Sequence, residues 1–420
     1  MNQKKLPFTK EKILEIRKKY PTAFHIYDEK AIRQNANEFL KAFKVLYGFK
    51  QFFAVKATPN PYLLKIMKQE RFGVDCSSFA ELVMAENVGF KGEEIMFSSN
   101  DTPAEDFRKA RELGAIINLD DISHIEFLEK TAGIPDLICF RYNPGPARKG
   151  NAIIGKPEEA KYGLTREQML EAYEICKKKG AKRFGMHTMI VSNELHEDYF
   201  IETARMMFDL AVEVYNKTGI KVEFINLGGG IGIPQKPEEN PASYSTIADG
   251  VKKHYKNIIE KNNLQPVKIF TECGRVITGP YGYLVTKAIH IKHIYKDYVG
   301  TDACMANFMR PALYGAYHHI TVLGKESMPK DYVYDVTGSL CENNDKFAIN
   351  RKLPEVVPED ILVIHDTGAH GFAMGFNYNG KLRSAELLLR SDGSVLKIRR
   401  AETVDDYFAT LDFESAINFK

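Results

Sequence analysis

Lys56 closes the apolar run Phe-Phe-Ala-Val, and a primary amine placed there can attack an aldehyde once it is unprotonated. An apolar surround strips water from the ammonium and favours that reactive form. A lysine at a strand end can equally reach solvent along its own methylenes, and position alone favours this plainer reading. Two further groups change the balance. The run Gly228-Gly229-Gly230-Ile231-Gly232 follows a strand-like stretch, where glycines let backbone N–H groups close around a phosphate; taken alone it could be a tight turn. Glu272 ends another such stretch, and a carboxylate beside a pyridine nitrogen keeps that nitrogen protonated, although it could also be a satisfied acid. An amine for an aldehyde, a loop for a phosphate and an acid for a pyridinium on one rim together point to pyridoxal 5′-phosphate (PLP).

These groups fall at the ends of short apolar runs, at 52–55, 73–75, 95–97, 115–119, 137–140, 184–187, 222–227 and 268–271. Between the runs lie stretches with apolar spacing of three and four, such as Leu63, Leu64, Ile66 and Met67, and later Ala204, Met207, Phe208, Ala211 and Val212. Eight such strand–helix units predict an α/β fold, a TIM-type (β/α)8 barrel, whose reactive groups gather at the C-terminal ends of the strands. The residues following the other runs fit that expectation: Asp75 with Ser77 and Ser78, Ser98 and Asn100, Arg141, and His187. Beyond Glu272 the rhythm changes, and runs at 283–294, 332–336, 361–365, 386–389 and 395–398 predict a second, mainly β domain. The expected division is a PLP-binding barrel over 42–282 and a discontinuous β domain over 1–41 plus 283–420, carrying substrate and dimer-interface residues.

Composition narrows the partners. The chain has 420 residues, 44% hydrophobic, enough for a large core in two domains. Its 58 basic residues are scattered among 55 acidic ones, for a net charge of +3, so no footprint for nucleic acid stands out. Residues 1–12 are polar and lysine-rich, and no run reaches the ~18 apolar residues of a membrane span. Six widely spaced cysteines without a Cys-x-x-Cys pair argue against both a disulfide framework and a metal site. A cytoplasmic protein acting on a small molecule is expected.

The ordered stretches Phe-Ala-Val-Lys-Ala (53–57), Gly-Val-Asp-Cys-Ser-Ser (73–78), Gly-Gly-Gly (228–230), Glu-Cys-Gly-Arg (272–275), Arg-Pro-Ala-Leu-Tyr-Gly-Ala-Tyr-His-His (310–319), Cys-Glu-Asn-Asn-Asp (341–345) and Phe-Asn-Tyr-Asn (376–379) carry a family resemblance. From about residue 20 to about residue 400 the chain resembles the barrel-type, fold-type III PLP-dependent decarboxylases, and within that group the diaminopimelate decarboxylases. The resemblance implies that Lys56 binds the cofactor as a Schiff base. It implies also that Gly228, Gly229, Gly230, Ser192 and Tyr378 hold the phosphate, that Glu272 pairs with the ring nitrogen, and that Asp75 and Arg141 lie near the ring. Arg275, Arg310 and Tyr314 would meet a distal carboxylate of the substrate, for which a guanidinium fork is suited, Glu342 would meet its distal ammonium, and Tyr378 would touch the substrate as well as the phosphate. Cys341 would reach a neighbouring subunit's site and protonate the carbon that loses carbon dioxide, which requires a homodimer. The plainer readings are a loop aromatic for Tyr378, a loop hydroxyl for Ser192, ion pairs for Arg310 with Glu342 and a structural role for Cys341.

The implied activity is decarboxylation of meso-2,6-diaminopimelate to L-lysine, the last step of lysine biosynthesis. Rivals are a decarboxylase of D-ornithine, D-lysine or carboxynorspermidine, a racemase on the same barrel, and a catalytically silent homologue. One departure stands out. Where the resembling proteins have His-x-His-x-Gly-Ser, this chain reads His187-Thr188-Met189-Ile190-Val191-Ser192, so Met189 takes the place of a ring-stacking histidine. A thioether can pack on an aromatic face, and the expectation is that Met189 does so with His187 behind it. Smaller departures are Cys273 in place of proline and His370 in place of tyrosine.

Overall fold

The computed structural model describes residues 4–150, 153 and 155–419; residues 1–3 of the lysine-rich N-terminal stretch lie outside these. The chain forms two compact units, one of Ile32–Pro234 with Asn240–Ile277, the other of Met1–Ala31, Gln235–Glu239 and Thr278–Lys420.

Strand β1 (Phe24–Asp28) belongs to the second unit. The next eight strands, β2 (Lys50–Ala54), β3 (Gly73–Cys76), β4 (Ile95–Ser98), β5 (Ile116–Leu119), β6 (Leu137–Tyr142), β7 (Arg183–Thr188), β8 (Phe224–Asn226) and β9 (Lys268–Thr271), close into a parallel barrel. Each falls on one of the apolar runs read from the sequence. The barrel is packed by Phe52, Met96, Ile116, Leu137, Cys139, Phe224 and Phe270, with the Phe224 and Phe270 rings stacked 4.6 Å apart. Two glycines make room for these rings. A Cβ on Gly73 would lie 2.6 Å from the Phe52 ring, and one on Gly185 would lie 2.1 Å from that of Phe224. A small barrel interior accepts large side chains from some strands only where neighbouring strands carry small ones.

The outer helices follow the same economy of space. Helix Pro61–Gln69 starts at Asn60, whose side chain accepts from the Tyr62 N–H, has proline in its first turn, and buries Leu63, Leu64, Ile66 and Met67 against the strands. Helix Glu197–Thr218 buries Ala204, Met207, Phe208 and Ala211 and stops at Gly219, which has a left-handed φ of 68°. Its inward stripe continues to Val214, while Val212, expected on that stripe, is half-buried.

The second unit is a nine-stranded sheet. It holds β10 (Gly282–His293), β11 (Asp297–Thr301), β12 (Ile320–Val322), β13 (Tyr332–Thr337), β14 (Lys346–Leu353), β15 (Ile361–Ile364), β16 (Ala385–Leu389) and β17 (Val395–Arg399) in the order β14-β13-β11-β10-β1-β16-β17, with β15 pairing β10 and β12. Strand β1 lies antiparallel to β10 and parallel to β16. The continuous apolar run Ile361–Ile364 has a simple cause. Leu362 and Ile364 pack into one core with Leu284, Val299 and Val336, while Ile361 and Val363 point to another with Ile13, Phe24 and Leu387. Both faces of the sheet are therefore covered, and period-two alternation disappears. Among the described residues no helix is long and apolar enough to cross a membrane.

Candidate active site

The C-terminal ends of the barrel strands surround a cavity of about 480 Å³, lined by Lys56, Asp75, Ser98, Arg141, His187, Met189, Ser192 and Glu272 among others. Lys56 sits in the single turn Val55–Ala57 that directly follows β2. Its side chain is exposed, and among the described residues its amine has no hydrogen bond or ion pair. The apolar surround expected from Phe-Phe-Ala-Val is absent, because those side chains point into the barrel wall and the mouth is polar.

Glu272 follows β9 and is 7% exposed. The His187 Nε2 lies 2.9 Å from one carboxylate oxygen, and the Asn226 amide donates to the other at 2.7 Å. Burial pushes this carboxyl up, but the imidazole beside it, its hydrogen bond, the Lys56 ammonium and the Asn226 amide outweigh burial and hold it below the usual carboxylate range. Glu272 is thus an oriented anion. Asp75, at the end of β3 and 1% exposed, has the opposite character. Its Oδ1 has no hydrogen-bond partner, and burial together with the charge of Glu272 raises its pKa well above the ordinary range against the pull of Lys56. The two carboxyls in one cavity are therefore shifted in opposite directions, Asp75 toward its neutral form and Glu272 toward its charged form.

Arg141 near the end of β6 is clamped: its guanidinium donates to Asp120 at 3.2 Å and to the Met189 carbonyl at 3.1 Å, and lies 4.4 Å from the centre of the Tyr162 ring. Ser192 is half-buried on the same wall.

The glycine run has a definite reason to be glycine. A Cβ on Gly228 would lie 2.2 Å from the Thr188 carbonyl oxygen, one on Gly229 would lie 2.5 Å from that of Glu272, and one on Gly230 would lie 2.5 Å from that of Val191. Gly228 and Gly230 also adopt left-handed φ values of 70° and 98°. The loop is pressed between the ends of β7 and β9, so its lack of side chains is required by packing. The Gly228 N–H donates to Asn226 Oδ1 at 2.9 Å and the Gly229 N–H to the Met189 sulfur at 3.2 Å. A thioether is a weak acceptor, which a phosphate oxygen outcompetes. The residues present fit PLP: an unengaged amine for its aldehyde, an oriented anion for its ring nitrogen, and a close-packed glycine loop for its phosphate.

The remaining residues from the sequence reading divide between the units. Arg275 belongs to the barrel unit and is 7% exposed. Arg310, Tyr314, Cys341, Glu342 and Tyr378 belong to the β unit. Arg310 is buried and carries its charge 5.4 Å from the centre of the Tyr314 ring. The Cys341 N–H donates to Asn379 Oδ1 at 2.7 Å, which ties the exposed Cys341–Glu342 turn to the turn holding Tyr378. Sequence reasoning missed Asn226 and Asp120, which orient Glu272 and Arg141. Both had a signal: Asn226 is the polar residue in the run Phe-Ile-Asn-Leu just before the glycines, and Asp120 directly follows the apolar run 115–119.

Comparison with known proteins agrees with this geometry. Residues 29–279 match the family model described as pyridoxal-dependent decarboxylase, pyridoxal binding domain. Protein TabA of Pseudomonas amygdali pv. tabaci is 40% identical over 95% of this chain and 93% of its own length. Diaminopimelate decarboxylase of Methanothermobacter thermautotrophicus is 34% identical over 94% of this chain and 92% of its own. The crystal structure of diaminopimelate decarboxylase from Helicobacter pylori complexed with L-lysine matches with a TM-score of 0.84 at 28% identity, covering 94% of this chain and 98% of that one.

Proposed function

Because this chain belongs to the pyridoxal-dependent decarboxylases, we propose that its substrate is meso-2,6-diaminopimelate and its product L-lysine. The pairing, in one cavity, of the unengaged Lys56 amine with a Glu272 carboxylate hydrogen-bonded at both oxygens supports the PLP chemistry, and the likeness to diaminopimelate decarboxylases over nearly the whole chain supports the substrate. PLP, when bound, supplies an aldehyde that captures amines and a ring that accepts the electron pair of a breaking bond.

Around that group the residues have separate tasks. The Lys56 amine anchors the cofactor. The Glu272 carboxylate keeps a proton on the ring nitrogen, and its hydrogen bonds to His187 and Asn226 keep it facing one way. Burial and the charge of Glu272 bias Asp75 toward its neutral form, which limits a second negative charge in the cavity. Gly228, Gly229, Gly230, Ser192 and Tyr378 take the phosphate. Arg275, Arg310 and Tyr314 select a distal carboxylate and Glu342 a distal ammonium. As carbon dioxide leaves, the bonding electron pair stays behind and the Cys341 thiol of a second copy delivers a proton to the same carbon. The exposure of Cys341 supports this part of the reading, which makes the active species a homodimer. All six cysteines are free thiols, in keeping with a reducing cytoplasm.

A second reading, a decarboxylase of D-ornithine, D-lysine or carboxynorspermidine, is favoured by two observations: the 40% identical relative bears a name that states no substrate, and Met189 stands on the cavity wall in the place where the resembling proteins carry a histidine. Carbon dioxide release from each of the four compounds, with and without added PLP, separates the readings. Faster release from meso-diaminopimelate, with L-lysine as product, is expected; preference for any of the other three overturns the assignment.

A further inference from the structure

The β unit holds a cavity of about 710 Å³ that the decarboxylation does not use. Its walls come from the segment before β1, the loop after β11, the approach to β16 and the end of β17. Five basic side chains line it against two acidic ones. The acids are already committed: Asp302 accepts from the Thr22 and Thr286 hydroxyls at 2.6 and 2.7 Å, and Glu402 accepts from the Asn377 amide and the Arg383 N–H at 2.7 and 2.8 Å. Of the bases, Arg400 is paired with Asp406 outside the lining. Lys381 and Lys397 have no hydrogen bond or ion pair from their amines among the described residues.

Two further groups make this more than a basic patch. The Ser384 side chain is in a residue only 7% exposed, and its hydroxyl has no hydrogen-bond partner among the described residues. Arg383 lies 3.9 Å from the centre of the Phe372 ring and donates to the Phe372 carbonyl, which fixes its plane, yet its Nε is buried without a partner. Burial lowers the Arg383 pKa against the opposing charge of Glu402. A desolvated, oriented guanidinium, an unsatisfied hydroxyl and two ammonium groups without a hydrogen bond on one cavity wall leave more positive charge than the two lining carboxylates neutralise.

We infer that this cavity is a binding site for a small phosphate-bearing polyanion, independent of the barrel site. The phosphate would take Arg383 and Ser384 as directional donors, with Lys381 and Lys397 supplying charge. A second copy of the chain presenting acidic side chains is the competing occupant, and the test separates the two. Cofactor-loaded enzyme, with its barrel phosphate site filled, is titrated with inorganic pyrophosphate by calorimetry and sedimented in parallel. The native protein should bind one equivalent per chain, the Lys381→Ala/Lys397→Ala variant at least about tenfold more weakly, and Ser384→Ala several-fold more weakly, with carbon dioxide release unchanged. Lys397 is exposed and Ser384→Ala removes one oxygen, so these variants probe binding without removing a core side chain. No binding by the native enzyme, or equal affinity in the double variant, overturns the inference. A lysine variant that sediments differently from the native protein overturns it as well, and gives the cleft to contact between copies.

Discussion

The barrel mouth and the turns of the β unit carry their candidate functional residues in opposite ways. At the mouth, Asp75 and Glu272 are 1% and 7% exposed and have their charge states set by burial, by each other and by His187. On the β unit, Tyr314 and Tyr378 are 43% and 51% exposed, and Cys341 and Glu342 stand on an open turn. Groups proposed to run the electron chemistry, the exposed Lys56 apart, are thus locked by strand ends, while Tyr314, Tyr378, Cys341 and Glu342 are open to solvent; Arg275 and Arg310, proposed to select the substrate with them, are buried. A buried anion loses its tuning when one partner is altered; an exposed thiol has little to lose but its own reaction.

Replacing Glu272 by Gln strikes the first region and should have the largest effect. Carbon dioxide release should fall by about a thousandfold, since electrostatic support at a reacting centre is worth several kcal/mol, and the cofactor's absorbance should shift because its ring nitrogen loses its partner. A loss under about tenfold would mean that the buried anion is structural.

Cys341→Ala addresses the second region. It should lower kcat about a hundredfold, a usual size for loss of a general acid, with cofactor absorbance and fold unchanged. If absorbance changes as much as in Glu272→Gln, the contrast between tuned mouth and independent turn collapses.

The smallest effect concerns stability. Asp75 has a native pKa above the ordinary 3.8, so the folded chain keeps a proton that the unfolded chain sheds. The resulting stabilisation is complete below 3.8 and declines as pH rises toward the native value. Asp75→Asn does not titrate, so its Tm relative to wild type should climb by a few degrees between about pH 4 and about pH 8. A difference that stays flat with pH would show that Asp75 is ionised in the fold.

Much of the mouth was legible in the sequence because a parallel barrel puts whatever follows each apolar run on one rim. Lys56, Asp75, Arg141 and Glu272 could be read that way, and Gly228 to Gly230 announced a close approach. Side-chain partnerships across strands left no mark: nothing adjacent to Glu272 in sequence indicates that Asn226, 46 residues earlier, holds one of its oxygens. The exposure of Lys56 agrees with the plainer reading of a strand-end lysine that reaches solvent: Phe52, Phe53, Ala54 and Val55 are buried, and the turn that follows them is open. In the β unit, β15 and β16 were visible as solid apolar runs buried on both faces. Strands β1, β11, β12 and β14 were not, since Asp-Tyr-Val-Gly-Thr in β11 and Lys-Phe-Ala-Ile-Asn-Arg-Lys-Leu in β14 alternate too weakly to stand apart from loops.

The central claim is that Lys56 anchors the cofactor. Purified enzyme loaded with PLP, reduced with borohydride, digested and mapped by mass spectrometry should carry the cofactor's added mass on the peptide containing Lys56. Modification of a different lysine, or none at all, would contradict the account.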